Sequence, residues 1–281
     1  MPSISPLRYP GGKSKLYQYV RSLLEFNGLL GETYIEPFAG GAGLALKLLL
    51  NEDVSRIVIN DFDPAIYSFW SCVINQTDDL CKLIEKTPVS PQEWAKQKAI
   101  YMQGYQDNLL DYGFATFFLN RTNVSGILTG GMIGGVSQAG QYRLDVRFNK
   151  EDLINRIQMI GRMKKRIVLT NMDAKLLLNG ENLRHYYNTF LNLDPPYVKK
   201  GNKLYKNAFS TADHRELFEI INRCKRKWIV TYDVCDFVKE LYAHHRSSYL
   251  NVSYSVKGTR IARELIFFSD NLELPDSIVL N

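Results

Sequence analysis

The sequence has little of what a secreted, metal-bound or membrane-embedded chain requires. Its 281 residues include only 4 cysteines and 4 histidines. Cys72, Cys81, Cys224 and Cys235 form no C-x-x-C pair and lie in apolar or helical contexts, which argues against a zinc site and a disulfide framework. His185, His214, His244 and His245 lack ligand spacing, so they are expected at the surface or as caps, and no metal is expected. Apolar runs such as "LALKLLL" are too short to span a bilayer, and "MPSISPLRYPGGKSK" lacks the apolar core of a signal peptide. Internal repeats and low-complexity tracts are also missing. A cytoplasmic protein with no membrane partner is expected.

What the chain does carry is a basic excess, 35 lysines and arginines against 29 acids, formally +6. That balance favours an anionic partner such as nucleic acid without requiring one. The length suits one large domain, or one domain interrupted by a second.

Apolar residues recur at helical spacing from Leu16 to Phe26, and "ETYIEPFAGGAGLALKLLL" then reads as a short strand, a glycine turn and a helix. "SRIVINDFDP" is a buried strand ending at Asp61, with Pro64 in the first turn of a further helix. Ligand-type residues thus fall at strand C-termini, where open parallel α/β sheets bind their ligands. From Ala65 to about Arg162 the pattern turns helical, with the glycine-rich tract "SGILTGGMIGGVSQAGQ". Strands resume at "RIVLT", "TFLNL" and "KWIVTYD". The expected architecture is an α/β domain over residues 1–64 and 163–281, with an inserted, mainly helical domain over 65–162.

Gly40, Gly41 and Gly43 stand where a strand becomes a helix, so the backbone there can approach a ligand beside a positive helix N-terminus. Asp61, about twenty residues on, occupies the place of an acid that binds ribose hydroxyls. "PGGKSK" ends like a phosphate loop, but Leu7 stands where the first glycine is required and no buried strand precedes it. A nucleoside ligand without phosphates fits better, with Lys13 available for a carboxylate elsewhere on it. S-adenosylmethionine has that anatomy, whereas NAD needs a pyrophosphate grip that "GGAG" does not supply. In "LNLDPPY", Pro195 and Pro196 remove two backbone donors and fix two φ angles, so Asp194 and Tyr197 are rigidly presented at a strand end.

"RYPGGK", "EPFAGGAG", "NDFDP" and "DPPY", in this order with a long insertion before the last, resemble the Dam-like, D12-class DNA adenine-N6 methyltransferases of the α group over essentially the whole chain. The resemblance implies a Rossmann-like class I S-adenosylmethionine-dependent methyltransferase sheet carrying an inserted DNA-recognition domain. It implies cofactor contacts from Tyr9, Pro10, Gly12 and Lys13; from Glu36, Pro37, Phe38, Ala39 and Gly40; from Asp61 and Phe62; and, through a looser match, from Asp173. Asp194, Pro195, Pro196 and Tyr197 become the catalytic residues, with Asp194 also near the cofactor.

The chemistry agrees. The lone pair of the adenine amine is delocalised into the ring, and acceptors at the Asp194 carboxylate and the Pro195 carbonyl can draw its two N–H groups and free that pair. Tyr197 offers a face on which a base flipped from the duplex can stack. Neither a metal nor a covalent intermediate is needed.

The insertion interleaves Asn120, Arg121, Asn123, Arg143 and Arg147 with glycines, and arginine and asparagine suit bidentate base contacts. Lys199, Lys200 and Lys203 follow Tyr197 in "VKKGNKLYKN" and suit phosphate contacts. The expected function is site-specific adenine-N6 methylation of double-stranded DNA by a monomer, with a cognate restriction endonuclease as a possible companion. Cytosine N4 or an RNA base is the alternative acceptor for the same chemistry. Dam enzymes acting on GATC typically follow their Asn-Arg pair with an aromatic, "NGL" and an arginine. This chain does not, so a target other than a strict GATC is expected.

Overall fold

The computed structural model describes residues 4–9, 13–105, 108–198, 209–254 and 260–276. It divides into two bodies, one drawn from residues 1–10 and 63–169, the other from 11–62 and 170–281.

Among the described residues the sheet has seven strands in the order β3-β2-β1-β4-β5-β7-β6. They are β1 (Thr33–Glu36), β2 (Arg56–Asn60), β3 (Ile167–Thr170), β4 (Thr189–Leu193), β5 (Lys227–Asp233), β6 (Ser247–Tyr254) and β7 (Arg260–Phe268). β1 pairs in parallel with β2 and β4, and β4 with β5, while β7 runs antiparallel between β5 and β6. Every residue of β4 is buried, as are all of β5 beyond Lys227, so both strands are covered on both faces, with Asn192, Thr231 and Asp233 as polar exceptions in mainly apolar runs. β1 lies where the chain order reverses between β2 and β4, the position at which such sheets open a crevice.

In the second body, a 3-10 turn at Lys13–Leu16 leads into α1 (Tyr17–Phe26), and α2 (Gly43–Leu50) follows the glycine turn. The first body holds α3 (Pro64–Asn75), α4 (Thr77–Lys86), α5 (Pro91–Gln103), α6 (Leu109–Thr122) and α7 (Lys150–Arg162). α8 (Ala174–Leu177), α9 (Gly180–Leu183), α10 (Thr211–Arg223) and α11 (Asp236–Leu241) return to the second. Local chemistry sets many of the starts: Asp63, Ser90, Asn108 and Asn149 accept the orphan N–H groups of α3, α5, α6 and α7, and Ser210 with Asp213 forms a capping box on α10.

The first body is built around α3 and α6, where Phe69 and Phe117 stack at 5.6 Å. At Gly113 a Cβ would stand 2.6 Å from Cys72 Sγ and 2.7 Å from the Ser68 carbonyl, so only glycine lets these helices approach so closely. Residues 4–9 group with this body, although the inserted domain is expected to start only at 65. Buried Asn120 explains it: its Oδ1 accepts the Arg8 N–H at 2.7 Å and its Nδ2 donates to the Arg8 carbonyl at 2.9 Å. Arg156 adds a bond to the Ser5 carbonyl, and Leu7 is buried.

The histidines depart from expectation. His185 and His244 are exposed, but His214 is 1% exposed, with Nδ1 3.1 Å from the Tyr232 hydroxyl and the rings of Phe209 and Phe237 beside it. It shares the apolar face of α10 with Leu217 and Ile221, a helical periodicity that outweighs the polarity of the ring. The His245 side chain is also largely covered, between Asp270 and Asn222. None of the four cysteines forms a disulfide.

Candidate active site

The C-terminal ends of three adjacent strands, β2, β1 and β4, assemble the site. β1 ends at Glu36 and turns through Pro37, Phe38, Ala39 and Gly40 into α2. Gly40 adopts φ +47°, in the left-handed region that favours glycine, and its N–H donates to Asp61 Oδ2 at 2.8 Å. The glycine turn and the β2 acid, separated by twenty-one positions, are thereby joined directly. Asn60 reinforces the junction by donating to the Pro37 and Met172 carbonyls. Phe62, next to Asp61, is 56% exposed and leaves a ring face open to a flat ligand.

Glu36 is buried, and its Oε1 accepts the Tyr34 hydroxyl at 3.0 Å and the Ala45 N–H at 3.2 Å. Burial pushes its carboxyl up to about 8. Asn192 on β4 lies against it, and Asn192 Oδ1 is buried without a partner.

β4 delivers the Asp194-Pro195-Pro196-Tyr197 corner. Asp194 Oδ1 receives the Thr231 hydroxyl at 2.9 Å and the Lys13 ammonium at 3.1 Å. Lys13 also donates to Glu264 Oε2 at 2.8 Å and to the Tyr197 hydroxyl at 2.5 Å, so these side chains take up its three donors. Burial pulls the Lys13 ammonium down, but the two carboxylates outweigh it and hold its proton above the ordinary range. Asp194 is pushed up by burial and by the charge of Glu264, against the opposing pull of Lys13 and Thr231. Beyond the prolines, the Val198 N–H donates to Asp233 Oδ1 at 3.2 Å, fastening the corner to β5.

Several expected site residues stand differently from their expected roles. Lys13 reaches Asp194, Tyr197 and Glu264, so contact with a cofactor carboxylate requires one of its three bonds to exchange. Tyr197 is 8% exposed, so stacking a base on its ring requires the ring to turn outward. Asp173 caps α8 by accepting the Lys175 N–H. Tyr9 is half-buried in the first body. Pro10, Gly12, Lys199, Lys200 and Lys203 lie outside the described residues.

In the first body, Asn120 and Asn123 are buried and spend their side chains internally. Asn120 holds Arg8 and the Gly126 carbonyl, while Asn123 accepts the Trp94 indole N–H at 2.6 Å and donates to the Ile127 and Leu128 carbonyls. The Arg121 side chain donates to the Arg147 carbonyl at 2.7 Å. Burial and neighbouring arginines lower its proton affinity to about 10. Arg143 and Arg147 are exposed, beside exposed Tyr142 and Val146. Glu264, Thr231, Asp233 and Asn192 escaped sequence reasoning. A buried Glu in "ARELIFF" was the one local signal, an acid inside an otherwise apolar strand.

Among the described residues, no group of acids, histidines and cysteines could hold a metal ion, and no helix is long and apolar enough to cross a membrane. A mostly parallel sheet in this strand order, with a glycine turn after β1, an acid after β2 and an Asp-Pro-Pro-Tyr corner after β4, defines a Rossmann-like methyltransferase acting on an amino group. The chain belongs to the D12 class N6 adenine-specific DNA methyltransferase family, whose profile matches residues 9–257. It is therefore an enzyme of adenine-N6 DNA methylation. It is 25% identical over 242 residues to the Type II methyltransferase M.CviBI of Paramecium bursaria Chlorella virus NC1A, covering 80% of each chain. Similar solved structures include a putative RNA methyltransferase, PH1948, from Pyrococcus horikoshii, with TM-score 0.41 and 10% identity over 94% of this chain and 85% of that one. Another is the rRNA methyltransferase aviRa of Streptomyces viridochromogenes, with TM-score 0.40 and 12% identity over 93% and 86%.

Proposed function

We propose that this enzyme methylates N6 of an adenine flipped out of double-stranded DNA at a specific site, using S-adenosylmethionine, and that it serves as the modification partner of a restriction endonuclease. The observation that carries the reading is the Asp194 corner: a carboxylate gripped through one oxygen, at a strand end rigidified by two prolines, beside the glycine turn and Asp61. The description of M.CviBI as a Type II methyltransferase supports the pairing with an endonuclease.

The residues present suit that cofactor. Asp61 offers carboxylate oxygen for ribose hydroxyls, exposed Phe62 offers a ring for adenine, and Glu36 through Gly40 form a turn the ligand can approach closely. When bound, the cofactor supplies a methyl group on a good sulfonium leaving group. The chain's task is to orient the acceptor. Asp194 takes one N–H of the amine and the Pro195 carbonyl the other, which moves the nitrogen towards a tetrahedral, nucleophilic geometry. Alignment of the two reactants is worth roughly 7–11 kcal/mol of barrier in favourable cases.

In the first body, exposed Arg143 and Arg147 are the candidates for base or phosphate contact, while Asn120 and Asn123 brace residues 126–128. The lysines after Tyr197 remain candidates for phosphate contact. The departure from the "NGL" pattern argues for a target other than a strict GATC. The test is to methylate a diverse plasmid pool and map modified bases by single-molecule sequencing, with Asp194→Ala as control. N6-methyladenine at one short sequence is expected, absent from the control. Methylation of another base, or of adenines without sequence preference, would refute the reading.

A further inference from the structure

We propose that Glu264 is a positioning residue for methyl transfer: by anchoring Lys13 it fixes the ammonium on one oxygen of Asp194, so that the other oxygen is presented to the adenine amine. The inference rests on the reading of Asp194 as the amine's acceptor.

The two oxygens of Asp194 are unequal. Oδ1 carries both the Thr231 hydroxyl and the Lys13 ammonium, while no described side chain engages Oδ2. A carboxylate held twice through one oxygen cannot rotate freely, and its second oxygen keeps both lone pairs for an incoming donor. The Asp194 side chain retains 25% of its surface, so that donor has a way in.

Lys13 alone is a poor fixing group, because its ammonium rides on a flexible four-carbon stem. Glu264 removes that freedom. Its carboxylate, with a side chain 2% exposed, holds Nζ at 2.8 Å, and the Tyr197 hydroxyl takes another donor. The sheet sets this geometry: Glu264 on β7 sits directly across from Asp233 on β5, and Asp233 shares its strand face with Thr231. One antiparallel strand pair therefore supplies the hydroxyl on Asp194, the anchor of its lysine and the acceptor for the Val198 N–H that fastens the corner.

A merely structural ion pair would affect folding, whereas a positioning pair also tunes Asp194. The charged and titratable groups facing Asp194 are Lys13 from the 3-10 turn, Glu264 from β7, and Tyr34 and Glu36 from β1, with the Tyr197 hydroxyl beyond Lys13. The charge of Glu264 raises the proton affinity of Asp194, and the Thr231 hydrogen bond lowers it. Removing each should therefore move the acid limb of activity in opposite directions.

The experiment measures single-turnover methylation at saturating cofactor and DNA, between about pH 5 and pH 8, for wild type, Glu264→Gln, Thr231→Val and Asp194→Ala. Thermal melting and calorimetric cofactor titration accompany it. Glu264→Gln and Thr231→Val should each lose about tenfold or more in maximal rate with cofactor affinity nearly unchanged. The acid limb should move to lower pH in Glu264→Gln and to higher pH in Thr231→Val, by about half a pH unit or more. A folded Glu264→Gln enzyme with the wild-type rate and an unmoved acid limb, beside an inactive Asp194→Ala, overturns the positioning role alone. An active Asp194→Ala overturns the acceptor reading beneath it. Should Glu264→Gln fail to fold, the near-isosteric Thr231→Val decides: an unmoved or downward limb there refutes the asymmetric grip on Asp194.

Discussion

Replacing Glu36 with glutamine should remove a pH dependence of stability that burial builds into the site. Glu36 is 6% exposed, lies beside fully buried Tyr34, and has its carboxyl raised from 4.5 to about 8. Its folded value exceeds its unfolded one, so the native state binds the proton more tightly. The associated stability is complete below about pH 4.5 and is lost as pH rises through about 8. At about 1.4 kcal/mol per pH unit, the loss is capped near 5 kcal/mol, and a few kcal/mol is the expected scale. Glu36→Gln keeps an acceptor for the Tyr34 hydroxyl and the Ala45 N–H. Urea unfolding across about pH 5 to 8.5 should therefore show wild type declining relative to Glu36→Gln by about 2 kcal/mol or more. Parallel curves for the two proteins would show that Glu36 is ionised in the fold, and the argument from its burial would fail.

Asp61→Ala should raise the cofactor dissociation constant by about tenfold or more, since a charge-assisted hydrogen bond is worth roughly 1.5–3 kcal/mol; unchanged affinity by calorimetry would place the pocket elsewhere. Asn120→Ala should cost about 2–3 kcal/mol in urea unfolding, because it strands buried groups around the Arg8 backbone. A folded Asn120→Ala enzyme should keep its sequence preference, and an altered preference would return Asn120 to base readout. Arg143→Ala or Arg147→Ala should either relax preference at one position, by about 1–3 kcal/mol, or weaken binding to all sequences and reduce the salt slope by about one. Neither change, in a filter-binding series over salt, would remove both arginines from the DNA interface.

The sequence alone determined the enzyme's class, because the chemistry depends on backbone shapes that only certain residues allow. Glycines after a strand, an acid about twenty positions on and an Asp-Pro-Pro-Tyr corner are local, contiguous signals, and each reports a conformation as well as a side chain. The tertiary structure decided how those side chains are employed. Asn120 and Asn123 look like base readers in sequence, yet the fold turns both inward, because buried carbonyl and N–H groups around Arg8 and residues 127–128 need partners. Lys13 has the chemistry for a cofactor carboxylate, yet it meets Asp194, Tyr197 and Glu264. Glu264 lies 251 positions from Lys13, and no local pattern announces such a contact. It arises only when β7 enters the sheet antiparallel beside β5 and sets a buried carboxylate opposite Asp233, within reach of the Lys13 ammonium.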